Sequence, residues 1–316
     1  MIEGRRDRPE AVVVCLPDLP EWHSVGELPA NVEVVLLPRQ PGLLPDLSRV
    51  ELLVPAGWAR ELVLAELGAM ARMQVVQTLS AGVDWLRGKV PAGVIVCNAR
   101  GLYDGPVAEW VVGAILAVQR GLIAARDAQL AMDWRPLEPD ELAGQRVIIL
   151  GFGSIGSAVA KRLRPFDVEV VGVARVRREG VLGLADLDEV LPSADVLIDL
   201  LPLSLETAGL LDARRLGLLR PGALLVNAGR GGTVDTPALV DALRAGRLRA
   251  ALDVTDPEPL PADHPLWRLP GVLISPHVAG DSSRSLARAF ALAGDQIRRF
   301  AAGEPLENQV PPHLLG

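Results

Sequence analysis

Lysine is nearly absent. Lys89 and Lys161 are the only two among 32 basic residues, so 32 − 2 = 30 are arginine, and a single arginine is weak evidence of a site. Cysteine is scarce too, with two in 316 residues. Cys15 and Cys97 both sit in apolar, strand-like runs, which predicts buried free thiols in a reducing, cytoplasmic compartment rather than a disulfide framework. Four dispersed histidines and two cysteines offer no metal-ligand spacing, so no zinc site is expected. No apolar run reaches the ~18 residues of a membrane span. The start, MIEGRRDRPE, is charged and lacks the apolar stretch of a signal peptide. Net charge is −7, which gives no electrostatic reason to hold nucleic acid or an anionic membrane surface. Aromatic residues are 3% of the chain.

Apolar aliphatic sequence is abundant. Hydrophobic residues make up 49%, enough for two domains of about 100–200 residues each. Short β-branched runs alternate with helix-forming stretches. The first set begins at Ala11, Val32, Val50, Val75 and Val94; the second begins at Arg146, Val168, Ala194, Gly222, Leu248 and Gly271. Near-continuous hydrophobicity is the mark of parallel strands buried on both faces. The fold class expected is α/β in two domains. One is a Rossmann-type doubly wound parallel sheet over 102–281, with six strands; the other is a smaller α/β domain built on the first set of runs. From Pro106, placed at a first helical position, helical spacing predicts one long helix running past Leu122.

GFGSIG, Gly151 to Gly156, follows the strand-like RVIIL and precedes the helix-like SAVAKRL. In that context Gly151 permits the tight turn. Gly153 lets a pyrophosphate approach, and Gly156 lets helix and sheet pack closely. The amides near Ser154 and Ile155 would face the anion. About 20 residues on, such a motif carries an acid for the adenosine ribose. Here Ala174 and Arg175 stand at that point, with Arg177 and Arg178 behind. Losing the acid removes repulsion of a 2′-phosphate, and Arg175 can grip one, so NADP(H) is expected to be preferred, with NAD(H) possible. The plain alternative is a solvated basic loop in an arginine-rich chain.

Ligands of open parallel sheets bind beyond the carboxyl ends of the strands. Arg230, Glu258 and His277 each follow an apolar run that ends at that edge. Beside a nicotinamide the set makes chemical sense. His277 would give a proton to a carbonyl oxygen, Glu258 would fix the imidazole, and Arg230 would grip a carboxylate.

The motifs GFGSIG, PLSLETAGLL, VNAGRGG, PEPLP, HPLW and ISPHVAG, with SAGVD and VAEW earlier, run in one order along nearly the whole chain. The sequence resembles the D-isomer-specific 2-hydroxyacid dehydrogenases, a family of D-glycerate, glyoxylate/hydroxypyruvate and D-lactate enzymes. The resemblance implies Arg230, Glu258 and His277 as catalytic residues. It implies that the amides of Ala81 and Gly82, with Arg230, bind the substrate carboxylate. Leu201, Pro202 and Thr207 would line the dinucleotide, Ala228 and Gly229 would lie near the nicotinamide ribose, and Asp253 would contact the nicotinamide amide. It also implies a flavodoxin-like substrate domain from 1–101 and 282–316, to which the C-terminal helix returns, a site in the interdomain cleft and a homodimer. Trp134 resembles a tryptophan that reaches the partner's site in hydroxypyruvate reductases, while Trp58, Trp85 and Tyr103 are candidate pocket walls. The expected activity is NADPH-dependent reduction of a glyoxylate- or hydroxypyruvate-like 2-keto acid. Its rivals are an NAD-linked enzyme like phosphoglycerate dehydrogenase and a non-catalytic dinucleotide sensor like the family's corepressors.

Overall fold

The structure is a computed structural model that describes residues 11–39, 45–55, 57 and 60–315. Trp58 therefore lies outside the described residues. The chain divides into two compact units, Met1–Tyr103 with Ser282–Gly316, and Asp104–Asp281.

The first unit is built on five parallel strands: β1 (Val12–Pro17), β2 (Val32–Leu37), β3 (Leu52–Leu53), β4 (Val75–Gln77) and β5 (Ile95–Cys97). Their order is β2-β1-β3-β4-β5, the flavodoxin-like arrangement expected. Alternate residues of β1 feed opposite cores. Val13 and Cys15 join Leu53, Leu67, Val76 and Val96 on one face. Val12, Val14 and Leu16 meet Phe290, Ala293, Ile297 and Phe300 of the helix Ser285–Ala302 on the other. That helix covers a sheet formed some 200 residues earlier, and it stops at Gly303, whose φ is 69°. Both cysteines are free and buried, and burial pushes each thiol up to about 12.

The second unit has seven parallel strands: β6 (Arg146–Leu150), β7 (Glu169–Ala174), β8 (Val181–Gly183), β9 (Val196–Asp199), β10 (Ala223–Asn227), β11 (Leu248–Leu252) and β12 (Val272–Ile274). They order as β12-β11-β10-β9-β6-β7-β8. The chain crosses from one half of the sheet to the other between β6 and β9, the switch point where such folds bind ligands. All residues of β9 and β10 are buried, as their unbroken apolar runs require. The strand beyond the six expected is β8, a three-residue edge strand too short to show a pattern.

The single long helix expected from Pro106 is two helices, Asp104–Gln119 and Leu122–Leu130, bent by 64°. Gly121, at φ 64°, caps the second in a left-handed conformation that ends the first. Pro106 lies within the first turn rather than at its first position. Among the described residues no single helix is long and apolar enough to cross a membrane.

Candidate active site

β6 delivers the chain into the glycine turn. Gly151 has φ 86°, and a Cβ there would stand 2.7 Å from the Leu200 carbonyl oxygen. At Gly156 a Cβ would stand 2.7 Å from the Gly151 carbonyl oxygen. Gly153 differs, because a Cβ there would meet nothing within 4 Å. Two glycines therefore serve the fold, while the third keeps open a space outside it. The helix Ser154–Leu163 starts there without a side-chain cap, and the amides of Ser154 and Ile155 find no acceptor among the described residues. An open turn with unpaired amides at a helix N-terminus fits the pyrophosphate of a dinucleotide. Replacing Gly151 by Ala should cost about 2–4 kcal/mol of stability in urea unfolding. Gly153→Ala should cost less than about 1 kcal/mol, yet weaken dinucleotide binding ~10-fold or more by filling the approach. Equal effects at the two positions would contradict this division.

β7 ends at Ala174, which is buried. The three arginines beyond it have different surroundings. Arg177 is held by Asp186, whose two oxygens take its Nε and Nη2. Arg178 donates through Nη2 to the carbonyl of Phe152, inside the glycine turn. Arg175 is exposed and has no hydrogen bond or ion pair among the described residues. Of the cationic cluster read from sequence, Arg177 is largely neutralised by Asp186 and Arg178 braces the turn. Glu169 stands at the opposite end of β7, paired with Arg146 at 3.3 Å, as its position before the strand's end implied.

The loops after β10, β11 and β12 carry the charged trio. Those strands are neighbours, so their carboxyl ends share one edge. His277 Nδ1 lies 2.6 Å from Glu258 Oε1. With a carboxylate accepting at Nδ1, the proton sits there, and Nε2 is the nitrogen left for exchange with a substrate. The histidine side chain is 47% exposed. Its backbone is unusual, with φ 56°. A left-handed histidine persists only where its surroundings hold it. Asp253 supplies that hold. Its Oδ1 accepts from Ser275 Oγ at 2.6 Å and from the Val278 amide at 2.9 Å, while Oδ2 accepts from the Ala279 amide at 2.9 Å. The His277 amide donates to the Asp253 carbonyl. Asp253, expected from the resemblance to meet the nicotinamide amide, is buried and spends three of its acceptor sites fixing the His277 turn. This role had no local signal, because Asp253 and its partners lie on different strand ends.

Arg230 donates through Nη1 to the Gly229 carbonyl at 2.7 Å. Its own carbonyl accepts from Asn227 Nδ2 at 3.1 Å and contacts Thr233 Oγ1 at 2.6 Å. Gly231 follows, and a Cβ there would stand 2.0 Å from the Thr255 carbonyl oxygen. That close approach, with Thr236 Oγ1 on the Asp256 carbonyl at 2.9 Å, draws the Arg230 loop against the segment leading to Glu258. Of the other expected cofactor contacts, Leu201 points its side chain into the core. Thr207 uses its hydroxyl within its own loop, on Pro202 O at 2.6 Å. Pro202 is exposed and Ala228 half-buried, while Gly229 packs against Leu201, whose carbonyl oxygen a Cβ would meet at 2.7 Å.

In the first unit, Ser80–Gly82 forms a loop after β4. The Ser80 carbonyl takes the Ala99 amide, the Ala81 carbonyl takes Asn98 Nδ2, and the Gly82 carbonyl takes Ser80 Oγ. The amides of Ala81 and Gly82 have no acceptor among the described residues. Successive open amides of this kind suit an anion. Tyr103 donates to the Leu79 carbonyl, and Trp85 packs against the first unit's core.

With the geometry in place, the similarity to known proteins is decisive. Residues 112–279 match the family model "D-isomer specific 2-hydroxyacid dehydrogenase, NAD binding domain". The chain belongs to that family. It is an NAD(P)-dependent oxidoreductase. It is 36% identical to a glyoxylate reductase of Thermofilum pendens over 78% of this chain and 76% of that one. It is 34% identical to a D-3-phosphoglycerate dehydrogenase of Mycobacterium tuberculosis over 77% of this chain, spanning 48% of that longer enzyme. Among solved structures it is similar to the NADPH-dependent glyoxylate/hydroxypyruvate reductase of Sinorhizobium meliloti, in complex with NADP and sulfate. That likeness has a TM-score of 0.82 and 30% identity, covering 95% of this chain and 98% of the other.

Proposed function

We propose that this dehydrogenase works mainly as an NADPH-dependent reductase of a small 2-keto acid of the glyoxylate or hydroxypyruvate type. The observation that carries the cofactor preference is Arg175, exposed directly after Ala174 and without a partner among the described residues. A guanidinium so placed is available to a 2′-phosphate, and no carboxylate stands at position 174 to repel it. The similarity to an NADPH-dependent glyoxylate/hydroxypyruvate reductase supports the same reading. Arg175→Ala should lower kcat/KM for NADPH ~10- to 100-fold, the value of a charge-assisted hydrogen bond, and leave NADH use nearly unchanged. An equal loss with both cofactors would make Arg175 a general stabiliser of the loop.

A bound dihydronicotinamide supplies the hydride. The chain's own part is to hold the keto acid and move a proton. Arg230 grips the carboxylate with its planar fork and polarises the carbonyl. In the first unit, the open amides of Ala81 and Gly82 suit a carboxylate. His277 Nε2 gives its proton to the carbonyl oxygen as the alkoxide forms, and Glu258 stabilises the imidazolium beforehand. The similarity to phosphoglycerate dehydrogenases favours an alternative, an NAD-linked dehydrogenase, and turnover with NADPH against NADH separates the two.

A homodimer is proposed on a run of exposed apolar side chains. Leu122, Leu130, Met132 and Trp134 are 57%, 66%, 94% and 101% exposed. A patch of this kind is a candidate subunit interface, from which Trp134 would reach the partner's site. A monomer mass by light scattering would contradict it. Cytoplasmic residence is proposed on the free thiols Cys15 and Cys97, and recovery of the native protein from an oxidising compartment would contradict it.

A further inference from the structure

Asp199 closes β9 at the carboxyl edge of the sheet and is wholly buried. Its carboxyl has one backbone and one side-chain contact. Oδ1 accepts from the Leu201 amide at 3.0 Å, and Oδ2 lies 2.5 Å from Thr233 Oγ1. The same Thr233 oxygen lies 2.6 Å from the Arg230 carbonyl oxygen.

Counting protons over these contacts gives a result that neither contact gives alone. A threonine hydroxyl has one proton, and a peptide carbonyl has none. With Asp199 ionised, Thr233 satisfies one of its two oxygen neighbours, and the other contact sets lone pair against lone pair at hydrogen-bond distance. A proton on Asp199 removes the conflict. The acid then donates to Thr233, and Thr233 donates to the Arg230 carbonyl. Burial works in the same direction. Desolvation raises the carboxyl to about 6, against opposing help from Thr233 and the Leu201 amide.

We propose that Asp199 is a positioning residue that works as a carboxylic acid, donating through Thr233 to the Arg230 carbonyl and fixing the loop that aims the Arg230 guanidinium. The proposal rests on the reading of Arg230 as the substrate's carboxylate grip. The flanking strands place Leu150 and Asn227 opposite Asp199, and neither titrates. The charged groups on the elements around it are Asp195 at the approach to β9, Arg230 and Asp235 on the segment after β10, and Asp253 after β11. Asp195 is engaged by Arg220, Asp235 by the Ala238 amide, and Asp253 by the His277 turn.

The test compares Asp199→Asn with Thr233→Val in the full-length enzyme. An asparagine amide can donate to Thr233 and accept from Leu201, so it copies the protonated acid without ionising. Infrared difference spectra of wild type against Asp199→Asn should show a protonated carboxyl stretch that fades as pH rises through about 6. Over the same range the wild-type KM for glyoxylate should climb, while the Asp199→Asn KM stays flat and low. Thr233→Val should raise that KM ~10-fold at every pH, with kcat changed less. Absence of the carboxyl band at acid pH overturns the proposal. So does an Asp199→Asn KM that is raised as far as that of Thr233→Val. The band needs no substrate, so a wild type that reduces no keto acid refutes the functional reading while the spectrum still decides the protonation of Asp199.

Discussion

His277→Asn should lower kcat for keto-acid reduction by ~10²–10⁴, the contribution of a positioned general acid. Asparagine is the substitute of choice because the backbone holds φ 56° here, and asparagine tolerates that conformation better than most residues. The side chain is nearly half exposed, so unfolding and dinucleotide affinity should change little. Reduction consumes a proton, so the wild-type hydride-transfer rate at saturating keto acid should fall as pH rises. The residual rate of the variant should lose that dependence. Stopped-flow measurement of hydride transfer at several pH values checks both points. A variant retaining a tenth or more of wild-type kcat would assign the proton to another group. Glu258→Gln should lower kcat by less, because the imidazole remains but loses its carboxylate at 2.6 Å.

Arg230→Met should lower kcat/KM for the keto acid by ~10²–10³, as expected when one partner of a desolvated charge pair is removed. The loss should appear in KM and in kcat, because the role proposed for the guanidinium is both to bind the carboxylate and to polarise the carbonyl. Arg230→Lys should recover part of the binding and little of the rate, since an ammonium cannot present a planar two-pronged fork. Steady-state kinetics with saturating NADPH measures both. An Arg230→Met enzyme with unchanged KM would place the carboxylate elsewhere.

The parts of this site that were legible in the sequence are those in which one short segment carries both pattern and chemistry. RVIIL followed by GFGSIG states a strand, a tight turn and a helix start within a dozen residues, and the structure has each. The apolar runs before Arg230, Glu258 and His277 placed three loops at one sheet edge, because parallel strands all end on the same side. What could not be read is what holds those loops. Asp253 on the His277 turn, Gly231 against Thr255, and Asp199 with Thr233 are contacts between the ends of different strands. No local periodicity reports them. The arginine cluster shows the same limit. Its sequence gives three equal charges, and only geometry shows Arg177 spent on Asp186 and Arg178 on Phe152. The helix expected from Pro106 breaks because Gly121 takes a left-handed conformation, a choice that apolar spacing on either side does not reveal.

The proposed function joins cofactor choice at Arg175 to reduction of a 2-keto acid. The most direct measurement is nicotinamide oxidation by the purified enzyme, NADPH against NADH, with glyoxylate, hydroxypyruvate, pyruvate and phenylpyruvate. Turnover of glyoxylate or hydroxypyruvate is expected, with kcat/KM for NADPH at least ~10-fold above that for NADH. Equal use of the two cofactors, or preference for NADH, would contradict it and leave Arg175 an ordinary charge on a solvated loop.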